Sequence, residues 1–159
     1  MPTMSLDRID RKILSALQDD NKITNLELAE RIGISPPACL RRVKALRNQK
    51  IIEGDISLIN PTALGKQITV VIEIVVARAG ANVVDKVKRK MLTTPEVSQC
   101  YLVTGDTDFI VIAQLKDMEA YEAFLERTFY NDPIIETMTS LVVVNRVKFN
   151  PKLDIPIDD

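Results

Sequence analysis

Between Glu30 and Glu53 the chain carries six positive charges, Arg31, Arg41, Arg42, Lys44, Arg47 and Lys50, with no acid among them. Such a run on one element is the electrostatic footprint of a surface that faces nucleic-acid phosphates, since neutralising them releases counterions whatever the base sequence. Most charge runs, however, are solvated faces, so the element that presents this one decides between the two. A second group is Asp106 and Asp108 in "TGDTD", two carboxylates around a glycine turn. Paired carboxylates can do acid–base work, but the chain has no histidine, no nucleophile with a base and no metal-ligand cluster to accompany them. Cys39 and Cys100 lie far apart and form no CxxC, so packing is their expected role. No glycine-rich phosphate loop is present. The expectation is a binding protein and not an enzyme, with no cofactor and no metal.

The basic residues need a helix to present them. In "GISPPACLRRVKALR", Gly33 to Arg47, the apolar Cys39, Val43 and Leu46 share one face. Pro37, Arg41, Lys44 and Asn48 then fall on the opposite face, with Ala38, Leu40, Ala45 and Arg47 on the flanks. Proline fits a first helical turn, where its missing N–H would be unpaired anyway, and Ser35 is the expected cap. The helix is expected to start at Pro36 under that cap, or at Pro37, because proline disfavours helical geometry in the residue before it. Upstream, Leu6, Ile9, Ile13 and Leu17 mark one amphipathic helix. A second, "ITNLELAERIG", has a Thr24–Glu27 capping box and Gly33 at its left-handed end. Only Gly-Ile-Ser separates it from the basic helix, which predicts a helix-turn-helix. β-prone runs on each side of Glu53 and Gly54 predict a small wing, stopped by Asn60-Pro61. A recognition helix points its N-terminal end into the major groove. Here that end is rigid and poor in hydrogen-bond donors, so base reading rests on Arg41, Ser35 and apolar contact with thymine methyls, supported by DNA shape.

The remainder changes character. "QITVVIEIVVA" alternates: Ile68, Val70, Ile72, Ile74 and Val76 on a core face, and Gln67, Thr69, Val71, Glu73 and Val75 on the other. A helix with Val84, Val87 and Met91 inward follows, then the strands "VSQCYLVT" and "DFIVIAQL" joined by "GDT". A helix capped by Asp117 buries Tyr121, Phe124, Leu125 and Phe129, and "IIETMTSLVVVNRVKF" is the last strand. The order β-α-β-β-α-β predicts a ferredoxin-like antiparallel sheet with both helices on one side. The bare side, with Val71 and Val75, or a strand edge is expected to pair with a second copy. Residues 5–54 hold ten Lys/Arg against seven Asp/Glu, whereas residues 55–159 hold eleven against fifteen, so the halves are expected to face different partners. No run of about 18 apolar residues and no signal peptide is seen, which predicts a cytoplasmic protein with no membrane partner.

"LDRIDRKILSALQDDNKITNLELAERIGISPPACLRRVKALRNQKII", "INPTALG" and "YLVTGDTDF", in that order, resemble the leucine-responsive regulatory protein/AsnC family of transcription regulators over residues 5 to about 152. The resemblance implies an α+β chain: an N-terminal winged helix-turn-helix over 1–54, a linker or wing strand over 55–66, a βαββαβ ligand-sensing and oligomerisation domain over 67–152, and a tail over 153–159. It implies a nucleoid-associated regulator on double-stranded DNA, a homodimer assembling to a tetramer or octamer, and an amino acid as effector; an effector-independent architectural DNA-binding protein is the alternative. Carried over, the DNA contacts are Ser35, Pro37, Ala38, Arg41, Arg42, Lys44 and Arg47. The effector contacts are Tyr101, Thr104, Gly105, Asp106 and Asp108, with Thr137, Thr139 and Ser140 from a neighbouring subunit. Gly105 can take positive φ, so that N–H groups of the turn face a carboxylate while Asp106 or Asp108 receives the α-ammonium. The chain departs from the family at Lys50-Ile51-Ile52, where Gly-Val-Ile is common, and at Thr107, where an aromatic is common.

Overall fold

Asp7 starts the first helix. Its carboxylate accepts the Asp10 N–H at 2.8 Å, while the Asp10 carboxylate accepts the Asp7 N–H at 3.3 Å, so two backbone donors without helical partners are satisfied reciprocally. Helix α1 runs Arg8–Asp19. The Thr24–Glu27 box starts α2, Asn25–Ile32, with the same reciprocal pattern, and Gly33 ends it at φ +81°. A side chain at that φ would be strained, which is why a glycine stands there. Helix α3, Pro36–Asn48, takes the earlier of the two expected starts, with both prolines in its first turn. Ser35 is extended, as the residue before proline must be, and its carbonyl accepts the Cys39 N–H at 3.0 Å. The Ser35 hydroxyl makes no capping bond, so it caps by position only.

The three helices close on Ile13, Ala16, Leu28, Ala29, Cys39 and Leu46, with Val43 packed against them. Each large apolar side chain buried there contributes about 1.5–3 kcal/mol. Helix α3 ends in a Schellman turn: Ile51 N–H donates to the Leu46 carbonyl at 2.9 Å and Lys50 N–H to the Arg47 carbonyl at 2.9 Å. Lys50 sits at φ +56°, in the left-handed position that usually takes glycine. The expected wing strands are not formed: residues 53–60 have no strand, and Ile56, Leu58 and Ile59 are exposed. A β-prone segment without a partner strand has nowhere to place its backbone ladder.

The structure is a computed structural model that describes residues 6–65, 68–77 and 82–157. Gln67, expected on the first strand, lies outside them. Two compact units emerge: Met1–Leu58 with Phe149–Asp159, and Ile59–Lys148. The second unit contains β1 (Ile68–Val76), α4 (Val83–Leu92), β2 (Val97–Leu102), β3 (Phe109–Leu115), α5 (Met118–Leu125) and β4 (Ile135–Val142), with one π-helical turn, Glu126–Tyr130, after α5. The strands form one antiparallel sheet in the order β2-β3-β1-β4, the ferredoxin-like plait. Val70, Ile72, Ile74, Val111, Ala113 and Leu115 face Val87, Met91, Phe124, Leu125 and Phe129 of the two helices in one core. Asp117 caps α5 through the Ala120 N–H at 2.8 Å. β4 stops at Val142; the valine-rich continuation to Phe149 is not strand.

Candidate nucleic-acid interface and effector loop

The outward face of α3 is as its spacing requires. Pro37, Arg41, Lys44 and Asn48 are exposed, as is Ser35 before the helix, and Ala38 is half-buried beside them. Among the described residues Arg41, Lys44 and Lys50 have no ion-pair partner, so their charges face solvent uncompensated.

Two other members of the basic run have a different situation. Arg42 reaches back to α1, placing Nη1 2.7 Å from the Asp7 carboxylate and 2.8 Å from that of Asp10, which is buried. The hydrogen bonds it donates to Asp10 and then Asp7 raise the guanidinium pKa further. The Asp7 carboxyl is held below the usual carboxylate range, first by the Asp10 N–H and then, against some burial, by Arg42. The charge of Arg42, expected to meet a phosphate, here ties α3 to the capping box of α1. Arg47 pairs with Asp55 at 2.5 Å, but both side chains are about two-fifths exposed. An exposed pair of this kind is weak, so Arg47 can exchange Asp55 for a phosphate.

In the second unit, the segment Val103–Asp108 joins β2 to β3, with Gly105 at φ +123°. Thr104, Gly105 and Asp106 are exposed. Asp108 is stitched to β1: its N–H donates to the Ile74 carbonyl at 2.9 Å, and its carboxylate accepts the Val76 N–H at 2.9 Å. The Thr107 hydroxyl donates to the same Ile74 carbonyl at 3.0 Å. The Val76 N–H lies where the β1–β4 ladder slips register. Asp108 therefore anchors the loop through one carboxylate oxygen, whereas Asp106 is exposed.

The β4 residues divide between the faces. Ser140 pairs with the buried Ile72 and shares the helix side, with its hydroxyl buried and without a hydrogen-bond partner. Thr139 pairs with Glu73 and Thr137 with Val75 on the open side. Thr137, Thr139 and Ser140 therefore do not form one cluster. Tyr101 pairs with Ile110, and Ile110 with Glu73, so Tyr101, Ile110, Glu73 and Thr139 make one row across the open face. Glu73 puts a carboxylate into this row, a location its place in "ITVVIEIVV" signalled without giving it a role.

A winged helix-turn-helix DNA-binding model matches residues 6–53, and the Lrp/AsnC ligand binding domain matches residues 69–153. The chain belongs to the Lrp/AsnC family. Within it, the leucine-responsive regulatory protein of Escherichia coli strain K12 is 37% identical over 152 residues, covering 96% of this chain and 93% of the relative. An uncharacterized HTH-type transcriptional regulator of Sinorhizobium fredii is 44% identical over 145 residues, covering 91% and 86%. Among solved structures, a Neisseria meningitidis transcriptional regulator in complex with L-Met superposes with TM-score 0.88 at 30% identity, covering 94% of this chain and 97% of that one. An AsnC family regulator from Agrobacterium tumefaciens gives 0.86 at 28%, covering 93% and 96%. This Lrp/AsnC protein is thus a transcription regulator with a DNA-binding and a ligand-binding domain. Among its described residues no helix is long and apolar enough to cross a membrane.

Proposed function

We propose that this regulator binds double-stranded DNA through the N-terminal half of α3 and changes its DNA affinity when an amino acid binds at the Thr104–Asp106 loop. The carrying observation is the pairing pattern of the basic run. Arg41 and Lys44 stand unpaired on the outward face behind a rigid Pro-Pro tip, whereas Arg42 is spent on positioning the helix. Arg41 then reads bases and Lys44 holds phosphate, with Arg47 adding a phosphate when it leaves Asp55. Ser35, Pro37 and Ala38 form the tip that approaches the groove.

On the effector side, the exposed turn N–H groups around Gly105 face a carboxylate, Asp106 receives the ammonium, and Tyr101, Thr137 and Thr139 line the open face beside them. L-Met in the Neisseria meningitidis relative, and leucine in the name of the Escherichia coli one, support an amino acid as ligand. The working form is a homodimer built on the open sheet face and able to assemble further, acting by binding and not by catalysis in the cytoplasm on nucleoid DNA. An effector can alter DNA affinity only by binding two arrangements unequally, and a coupling of about 1–3 kcal/mol gives roughly 5–150-fold.

DNA titration across salt concentrations tests the helix: Arg41→Ala and Lys44→Ala should each lower the slope of log affinity against log salt by about 1, and Arg41→Ala should also relax base choice. Unchanged slopes in both variants would reject the assignment. Asp108 being committed to Val76 favours one rival, an architectural DNA-binding protein without effector. A thermal-shift panel of the twenty amino acids separates them: no shift with any would select the rival.

A further inference from the structure

The end of the chain lies along its first helix. Arg11, Gln18 and Asp19 of α1 share one side, since residues seven apart are separated by nearly two full turns. The Gln18 amide pairs with both backbone groups of Leu153: Leu153 N–H donates to Oε1 at 2.7 Å, and Nε2 donates to the Leu153 carbonyl at 3.0 Å. A side chain thereby makes the two-bond exchange that one antiparallel strand offers another. Beside it, Lys152 Nζ lies 3.0 Å from the Asp19 carboxylate, which also takes Arg31 of α2 at 2.8 Å. One turn further toward the start of α1 and beyond, Arg11 Nη1 donates to the Pro156 carbonyl at 3.2 Å.

The segment is prepared for this contact. Asn150 Oδ1 accepts the Lys152 N–H at 3.1 Å in a local turn, and Pro151 and Pro156 fix their own φ angles. A segment already restricted in the free state loses less entropy on docking. It contributes no side chain to the core of the helical unit, so packing does not explain its position. Connectivity supplies a reason. The chain passes between the two units twice, after Leu58 and after Lys148, and the second passage follows directly on β4, the strand of Thr137 and Thr139.

We propose that residues 150–157 are a strap, clasped to α1 by Gln18 and Asp19, and that the strap is a second link through which events at β4 reach the DNA-binding unit. The clasp stands on its own contacts; its regulatory use rests on the amino-acid response proposed above. A few exposed polar contacts are weak between separate molecules, but a short covalent connection raises their effective concentration to the millimolar range. The strap can therefore close without being locked.

Hydrogen exchange on the full chain tests the clasp. The Leu153 amide, whose acceptor is the Gln18 side chain, should exchange about fivefold faster or more in Gln18→Ala and in Lys152→Glu. Rates equal to wild type in both variants would overturn the clasp. The link is tested with the charge-neutral Gln18→Ala variant, by DNA titration with and without saturating L-leucine or L-methionine. The variant should still bind DNA, and calorimetry should still show the amino acid bound, while the amino-acid-dependent change in DNA affinity is lost. A change equal to that of wild type would overturn the link. If wild type responds to neither, the titration is run with whichever of the twenty amino acids shifts its melting; if none does, the effector reading fails, and the exchange rates still decide the clasp.

Discussion

Replacing Arg42 by alanine should unfold the helical unit more easily without removing a DNA contact. In the folded chain Nη1 lies within hydrogen-bond distance of both Asp7 and Asp10; the Asp10 side chain is 8% exposed and that of Arg42 29%. Removing one partner of a fully buried ion pair costs about 3–5 kcal/mol, because the other charge is left uncompensated. Asp7 is half exposed and Arg42 is reached by water, so solvent offsets part of this and we expect a loss of about 2–3 kcal/mol. In a domain of this size each kcal/mol moves the midpoint by roughly 4–8 °C, giving a shift of about 10–20 °C. The three tyrosines, Tyr101, Tyr121 and Tyr130, all lie in the sheet unit. Tyrosine fluorescence should therefore keep its midpoint while the helical circular-dichroism signal melts earlier. At a temperature where the variant is folded, its salt slope for DNA should match wild type. A normal helical midpoint combined with a slope reduced by about 1 would make Arg42 a phosphate contact and refute the positioning role.

Lys50→Gly should raise stability by about 1 kcal/mol, read by urea titration, because it relieves a non-glycine residue at φ +56°. The same variant loses an unpaired cation, so tighter folding and weaker DNA binding should appear together. Gly105→Val should leave DNA binding intact and abolish amino-acid binding by calorimetry, since φ +123° strains any side chain by about 1–3 kcal/mol. Acid should weaken the helical unit. Asp19, held down by Lys152 and then Arg31, and Asp7 both have folded pKa values below their unfolded ones. Their stabilising effect is complete above the ordinary value of about 3.9 and is lost as pH falls through the lowered values. Melting between pH 7 and 2.5 should show this loss, and Arg42→Ala should flatten the part due to Asp7.

Short-range signals carried most of the fold. The Thr24–Glu27 box, Gly33 and the spacing of Cys39, Val43 and Leu46 each act within a few residues, so the helix-turn-helix was readable without knowing what packs where. The alternation in "ITVVIEIVV" and the Asp117 cap placed the sheet and its helix in the same way. What escaped depends on partners distant in sequence. Nothing near Arg42 announces Asp7 and Asp10, more than thirty residues away, and a charge run reads the same whether its members face phosphate or each other. Asp108 looked free because the Val76 N–H that occupies it belongs to another strand. Thr137, Thr139 and Ser140 came together from the family resemblance, which does not say which sheet face each takes, and successive strand residues face opposite sides. The end of β4 was overestimated because valine content indicates β-propensity without supplying a partner strand.

The division of the basic run limits how tightly one copy can hold DNA. With Arg42 committed and Arg31 paired to Asp19, the cations of the run that have no ion pair among the described residues are Arg41, Lys44 and Lys50. With Arg41 on the bases, Lys44, Lys50 and an Arg47 released from Asp55 make three phosphate contacts and a salt slope of only about −2.7, so at cellular ionic strength a solitary unit would leave a binding site mostly vacant. Two units fixed to one another roughly double that slope, and the second contact then forms at high local concentration. Occupancy should consequently rise more steeply than in proportion to the number of copies in the cell. A modest change in abundance would then switch a promoter, with the helix itself left unaltered.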